Sequence, residues 1–432
     1  MKRGKISASD RAQSRLLDLW QRKPEYGHPI GCVTTTFTFD AAFFEEHCLS
    51  RFLGMDTDPS EDARTYLIER EEKLSQAFSA VLVDQLHVPQ QRSLRWHVFA
   101  ARVLDGGILH AKLTLLAWEH RIRVIVSSAN LTPFGYRKNL ENAGALDFTP
   151  EGDVPLSVLR EALDFLEHAR TTAPGVDDIE GPQNALRRFL ASQRAHIVGW
   201  KDSASPRGEA TASLLITGPG RPHLFEQLRT RWTFAPATSA WVVSPFFDDG
   251  DGAKHTAAAL ESILIQRGDQ EVTFIVAGQK LPDGTITVEM PKCLVGSGRK
   301  STEYHHEIVV PGEGEEPRPL HAKSLWLQRD DNALYCIGSS NFTQAGTGAR
   351  AHPGRVNLEA NLTYILPSRS DDFGRVCSRA YPNSQEIDAT LPNVLFLEPG
   401  NRTPEPVLPS APADGRSGGL SDGHRDDAGD RA

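Results

Sequence analysis

Two stretches of this chain are nearly the same: "ILHAKLTLLAWEHRIRVIVSSANLT" from Ile108 and "PLHAKSLWLQRDDNALYCIGSSNFT" from Pro319. Each reads Leu-His-Ala-Lys, an apolar run, then Ser-x-Asn, an apolar residue and Thr. A second pair of landmarks, Phe39-Asp40 and Phe247-Asp248, recurs at the same offset of about 210 residues. Order and spacing recurring together mark an internal duplication. The fold must therefore be one that is built twice.

The local patterns say what is repeated. "GCVTTTFTFDAAFFEEHCLSRFL" from Gly31 opens with a β-branched run that predicts a strand. Asp40 is then placed to cap a helix with apolar positions Phe43, Phe44, Leu49 and Phe52. "SAWVVSPFFDDGDGAKHTAAALESILI" from Ser239 repeats that strand-to-helix passage. Between the copies, Leu156, Leu159, Leu163 and Leu166 have helical spacing. "TTAPGVDDIEGP" breaks that helix, and a second one follows. Strands alternating with amphipathic helices predict an α/β fold. The expected layout is an N-terminal extension over 1–29, a first domain over 30–200 and a linker over 201–210. A second domain over 211–398 and a disordered tail over 399–432 complete it. The tail is rich in Pro, Gly, Ser and charge and has little to bury.

A chain of 432 residues suits two or three domains. Its formal net charge of −9 argues against a surface coated in basic residues. A local basic cleft can still hold phosphates on an acidic protein. The five cysteines are scattered, with no Cys-x-x-Cys pair to suggest zinc or a redox site, and read as reduced thiols. No window offers the roughly 18 apolar residues of a membrane span, and the basic N-terminus has no signal-peptide core. The expectation is a cytoplasmic protein without stable membrane insertion.

The repeated constellation carries the chemistry. The first copy holds His110, Lys112, Asn130 and Asn139-Leu140-Glu141. The second holds His321, Lys323, Asn341 and Asn357-Leu358-Glu359, delayed by an insertion around "GARAHPG". His and Asn are twenty residues apart in both copies. Residues i and i+2 of a strand share a face, so His-x-Lys projects an imidazole and an ammonium together. Lys112 and Lys323 offer positive charge to phosphate oxygens, and Asn130 and Asn341 offer amide donors. Ser127, Ser128, Ser339 and Ser340 also suit an anion. A histidine beside them serves as nucleophile or as acid and base. A carboxylate on its far ring nitrogen would orient it, and Glu141 and Glu359 are the candidates.

Two such sets suit a phosphodiester. One imidazole attacks phosphorus and forms a phosphohistidine. The other protonates the leaving oxygen and then activates water. The protein supplies the positive charge, so this scheme calls for no metal and no cofactor.

At these residues the chain resembles the phospholipase D superfamily, whose signature is a His-x-Lys with a downstream Asn in each half. The resemblance covers roughly residues 30–398. It implies two pseudo-symmetric α-β-α sandwich domains sharing one active site at their interface. The superfamily signature continues His-x-Lys-x-x-x-x-Asp, whereas Ala117 and Gln328 stand at the aspartate positions here. In lacking both aspartates the chain is similar to the tyrosyl-DNA phosphodiesterases. That resemblance implies His110 as nucleophile and His321 as acid and base.

The surrounding residues are less distinctive. His305-His306 reads as a strand-exposed pair, and His97 and the Phe246-Phe247 pair read as packing. Phe134 and Tyr136, interleaved with Arg137 and Lys138, fit either base stacking or a capped turn with a solvated basic end. Arg350 and Arg355 are expected on a substrate rim. The leading functional expectation is cleavage of DNA or of a DNA adduct, with nucleic acid as partner. The alternatives are a phospholipid phosphodiesterase and a non-catalytic phosphate- or DNA-binding module. Two motifs in one chain permit a monomeric site.

Overall fold

The segment Leu113–Trp118 is buried along its whole length, as a strand covered on both faces must be. Leu113, Leu115 and Ala117 enter one core and Leu116 and Trp118 another, the two-residue alternation of a strand. In the computed structural model it is β4 of a six-stranded sheet. The others are β1 (Pro29–Thr36), β2 (Phe78–Asp84), β3 (His97–Ala101), β5 (Arg121–Ser127) and β6 (Ala143–Phe148). Their spatial order is β3-β2-β1-β4-β5-β6. The first three are mutually parallel, and β4, β5 and β6 each run antiparallel to the neighbour before.

The structure describes residues 16–399 except 58–60, 91–92, 153, 177–178, 203–209, 266–267, 297, 299–301, 313–314, 331, 351–353, 368–370 and 378. Most of the expected linker, the start of the N-terminal extension and the expected tail from 400 onward lie outside the described residues. From the remainder of that extension, Leu17, Trp20 and Tyr26 pack into the outer core of the first half.

The second half adds β7 (Thr211–Thr217), β8 (Ser239–Val243), β9 (Glu271–Val276), β10 (Gly278–Lys280), β11 (Ile286–Val288), β12 (Glu303–Val309), β13 (Ser324–Arg329), β14 (Asn332–Gly338), β15 (Glu359–Leu366), β16 (Ser384–Ile387) and β17 (Val394–Phe396). An eight-stranded sheet has the order β16-β12-β9-β8-β13-β14-β15-β7. Its six inner strands repeat the first sheet strand for strand, with the same parallel and antiparallel pairings. The duplication in sequence is thus a duplication in topology. The strands β10, β11 and β17 form a small separate sheet.

One core joins the halves. The inner faces of both sheets share it with the helices Leu156–Thr171 and Pro182–His196, and Leu156, Leu159, Leu163 and Leu166 are all buried there. The outer face of the first sheet packs on Phe43, Phe44, Leu49 and Phe52, and Asp40 Oδ1 caps that segment by accepting from Phe43 N at 2.8 Å. The outer face of the second packs on the helices Leu224–Arg231 and Gly250–Glu261. Where β6 faces β14 and β15 of the second sheet, Gly144 is needed. A Cβ there would fall 2.5 Å from Tyr364 Oη and 2.8 Å from Ile337 Cδ1.

One local expectation is corrected. The pair His305-His306 is not strand-exposed as a unit: His306 is buried, and its Nε2 donates to Leu294 O at 2.9 Å. Its face of β12 packs inward, with its ring 6.0 Å from that of Phe274. His97 packs as expected, between the rings of Phe78 and Phe99.

Candidate active site

Strand direction explains why distant residues of one half converge. The end of β1, the start of β4, the end of β5 and the start of β6 all lie at the same edge of the sheet, because β4 to β6 alternate in direction. Phe37, His110, Lys112, Asn130 and Glu141 sit at those ends. The second half places Phe246, His321, Lys323, Asn341 and Glu359 in the same way.

The two ends are stitched to each other across the halves. His110 N and Ala111 N donate to Leu358 O at 3.0 and 2.9 Å, and Leu358 N donates to Ile108 O at 2.9 Å. Reciprocally, His321 N and Ala322 N donate to Leu140 O at 2.9 and 2.8 Å, and Leu140 N donates to Pro319 O at 2.8 Å. This revises one expectation. His110 and Lys112 precede β4 rather than lying within it, as His321 and Lys323 precede β13, because the backbone of His110 and Ala111, and of His321 and Ala322, pairs with the opposite half instead. Gly107 permits the approach, since a Cβ there would collide with Val356 O.

This stitching crosses the carboxylates. His110 Nδ1 lies 2.9 Å from Glu359 Oε2, and His321 Nδ1 lies 2.7 Å from Glu141 Oε1. Each histidine therefore meets the glutamate of the other half. Both glutamates are almost fully buried. The second residue of each Asn-Leu-Glu pattern that matters is its asparagine. Asn139 Nδ2 donates to Glu141 Oε1 at 3.3 Å, and Asn357 Nδ2 donates to Glu359 Oε1 at 3.2 Å. A carboxylate at Nδ1 fixes the proton there and leaves Nε2 with its lone pair.

The lysines lie close beside the rings. Lys112 Nζ donates to His110 O at 2.8 Å, and Lys323 Nζ donates to His321 O at 2.7 Å. Lys323 Nζ also sits 3.0 Å from His321 Nε2. Burial, with the charges of Lys112 and Lys323 adding to it, lowers the pKa of His110 to about 4 against the opposing pull of Glu359. Its imidazole is therefore neutral at physiological pH. Burial pushes the Glu141 carboxyl up, but His321, Lys323 and the Ser128 hydroxyl outweigh it and hold the group below the usual carboxylate range. Because Lys323 acts on His110 and touches His321, the two imidazoles share one electrostatic site.

Asn130 is buried, and its Oδ1 accepts from Phe37 N at 3.2 Å and Thr38 N at 3.3 Å, which ties it to the turn after β1. Asn341 Oδ1 is buried beside Lys323 without such a bond. Two of the four serines expected to suit an anion are engaged elsewhere. Ser128 Oγ donates to Glu141 Oε2, and Ser339 Oγ accepts from Ala360 N at 3.1 Å, so both serve the framework. Tyr136 is likewise no stacking platform, because it accepts from Trp20 Nε1 at 3.1 Å and packs on Phe43. Lys138 Nζ lies 4.4 Å from the centre of the Phe134 ring, and Arg137 and Lys138 are exposed. Arg350 and Arg355 are exposed as expected of a rim.

Phe37 and Phe246 also flank the site, a role that the sequence pattern does not reveal. Their rings lie 5.5 Å from His110 and 6.1 Å from His321, with Lys112 and Lys323 5.9 and 5.8 Å away. The only signal is a phenylalanine just past each duplicated strand end, which reads equally as core. Ala117 and Gln328 lie towards the far ends of β4 and β13, where Gln328 Nε2 donates to Asp330 O.

The chain is similar to a solved tyrosyl-DNA phosphodiesterase. That yeast enzyme covers 78% of this chain over 84% of its own, at 11% identity and a TM-score of 0.49. A phosphatidylserine synthase from Haemophilus influenzae Rd KW20 covers 86% over 84% of its own, at 12% identity and a TM-score of 0.48. A polyphosphate kinase from Porphyromonas gingivalis covers 87% over 46% of its own, at 11% identity and a TM-score of 0.40. No family profile and no curated protein matches the chain.

Proposed function

We propose that this chain is a phospholipase D superfamily phosphodiesterase that works through a phosphohistidine on His110 and acts on DNA or on an adduct at a DNA end. The observation that supports this best is the reciprocal pairing of His110 with Glu359 and of His321 with Glu141, each beside its own lysine. A single imidazole could be a packed side chain. Two, each with a buried carboxylate from the opposite half, suit a two-step displacement.

In the first step the His110 Nε2 lone pair attacks phosphorus while the bond to the leaving oxygen breaks. The substrate phosphate draws Lys323 from His321 Nε2, which passes to that oxygen the proton that it took from water in the preceding turnover. Glu359 balances the charge on the phosphorylated imidazole. In the second step His321 Nε2 removes a proton from water, the water oxygen attacks phosphorus, and the P–N bond breaks back to His110. Lys112 and Lys323, with the amides of Asn130 and Asn341, stabilise the non-bridging oxygens; such a donor contributes about 3 kcal/mol. A depressed His110 pKa keeps the nucleophile unprotonated.

DNA is favoured because exposed Arg137 and Lys138 lie just before the stitched Leu140, and Arg318 Nε donates to Lys138 O at 3.1 Å at the same seam. These exposed cations stand close together in a chain whose formal net charge is −9. Among the described residues no helix is long and apolar enough to cross a membrane.

The test is a panel assay in EDTA with single- and double-stranded DNA, RNA, a 3′-tyrosyl oligonucleotide and phosphatidylcholine vesicles. The expected result is cleavage of a DNA substrate that His110→Ala abolishes and His321→Ala slows, with phosphoenzyme trapped in the latter. Turnover that survives His110→Ala, or that only the vesicles support, overturns the reading.

A further inference from the structure

The duplication is broken at one polar position beside His110. Asp84, the last residue of β2, is a buried carboxylate with 1% of its surface exposed. Its Oδ2 accepts from Leu109 N at 2.8 Å, one residue before His110 and 25 positions along the chain. Its Oδ1 accepts from Leu86 N at 3.0 Å and caps the single turn Gln85–His87. That turn sets the His87 ring 4.3 Å from the Phe37 ring, edge to face, and Phe37 in turn lies 5.5 Å from the His110 ring. One carboxylate thus holds both the backbone that delivers His110 and the ring stack that flanks its side chain.

The equivalent position of the second half holds no such group. Thr36 pairs with Val83 in the first sheet, and Val243 pairs with Ile275 in the second. Thr36 and Ser244 are equivalent, since they accept from Leu131 N and Phe342 N respectively. The register then places Val276 opposite Val83 and Ala277 opposite Asp84. Alanine has no acceptor to offer the segment before His321.

We propose that Asp84 is a positioning residue for His110 and has no part in aligning His321. The Leu109 amide hydrogen it accepts fixes the entry of the His110 segment, and the Leu86 one fixes the turn beside it, in a site where a misplacement near 1 Å costs about 10²-fold in rate. A carboxylate accepts both N–H groups, whereas an amide would turn an N–H towards one of them. The effect of losing it falls on phosphoenzyme formation, in which His110 must be aimed at phosphorus, and spares phosphoenzyme hydrolysis, in which His110 is already bonded to phosphorus and leaves while His321 activates the water.

This inference rests on the phosphodiesterase reading, and its test separates the two. Bis(p-nitrophenyl) phosphate is mixed with the full chain in a stopped-flow instrument. The burst of p-nitrophenolate gives formation, and the decay of phosphoenzyme trapped in denaturant at alkaline pH, where a P–N bond survives, gives hydrolysis. Asp84→Asn is expected to slow formation about tenfold and Asp84→Ala about a hundredfold, both with unchanged hydrolysis. The graded return with asparagine, together with the unchanged second step, is what general loosening of the fold would not produce. Equal losses in both steps, or formation unchanged in both variants, overturns the role of Asp84 alone. A wild-type protein that forms no phosphoenzyme overturns the functional reading, and this inference with it.

Discussion

Glu359 Oε2 lies 2.9 Å from His110 Nδ1, although 249 positions separate the two residues in the chain. The mirror contact, Glu141 to His321, closes the same circuit in the other direction at 2.7 Å. Neither half holds a complete set. Each supplies the histidine and lysine of one set and the carboxylate of the other.

The crossed carboxylates should have separable effects. Glu359→Gln keeps an acceptor near His110 Nδ1 but removes the charge that, in the proposed mechanism, balances a phosphorylated ring. It is expected to lower phosphoenzyme formation by about 10- to 100-fold. Glu141→Gln should act instead on leaving-group departure and hydrolysis, through His321. Pre-steady-state kinetics on the two variants checks this. If each variant weakens the step of the histidine in its own half, the crossing has no functional meaning.

Acid should destabilise the protein partly through His110. Its pKa falls from 6.5 unfolded to about 4 folded, because burial opposes its charge. As pH drops below about 6.5 the unfolded chain takes up the proton first, so stability is lost until about pH 4, where both states are protonated. The difference corresponds to about 3 kcal/mol. Urea unfolding at pH 7.5 and 4.5 should show a larger acid loss in the wild type than in His110→Gln. Glu141, held below its usual range, adds acid sensitivity of the same sign to both proteins.

The packing between the sheets should resist enlargement at Gly144. Gly144→Val puts carbon against Tyr364 Oη, Ile337 and Leu362, atoms that a Cβ alone already approaches to 2.5–2.9 Å. Overpacking of this type costs about 1–3 kcal/mol. Thermal unfolding should show the loss, and activity should fall with it because both histidine–carboxylate pairs span this boundary.

The exposed cations at the Leu140 seam should act on affinity without selecting sequence. Arg137→Ala with Lys138→Ala is expected to weaken oligonucleotide binding. The slope of log affinity against log salt should become shallower by about 0.7 for each single-strand phosphate that is no longer neutralised. Fluorescence anisotropy across a salt series reads both quantities. An unchanged slope would place the nucleic acid elsewhere.

Much of this was readable in the residues. The two Leu-His-Ala-Lys phrases and the Phe-Asp pairs announced a fold built twice, and the apolar run of β4 and the spacing of Leu156, Leu159, Leu163 and Leu166 placed strand and helix correctly. These signals are local: a strand or helix needs only the side chains within a few positions to declare its buried face. The same reasoning collected His110, His321, Lys112, Lys323, Asn130, Asn341, Glu141 and Glu359. It did not show which glutamate serves which histidine, that Ser128 and Ser339 are spent on the framework, or that Phe37, Phe246 and Asp84 stand at the site. Those facts depend on the pairing of Leu109 with Leu358 and of Leu140 with Leu320, and on the turn that brings Asp84 to Leu109. Backbone hydrogen bonds between remote segments carry no side-chain pattern, so only packing one half on the other could decide them.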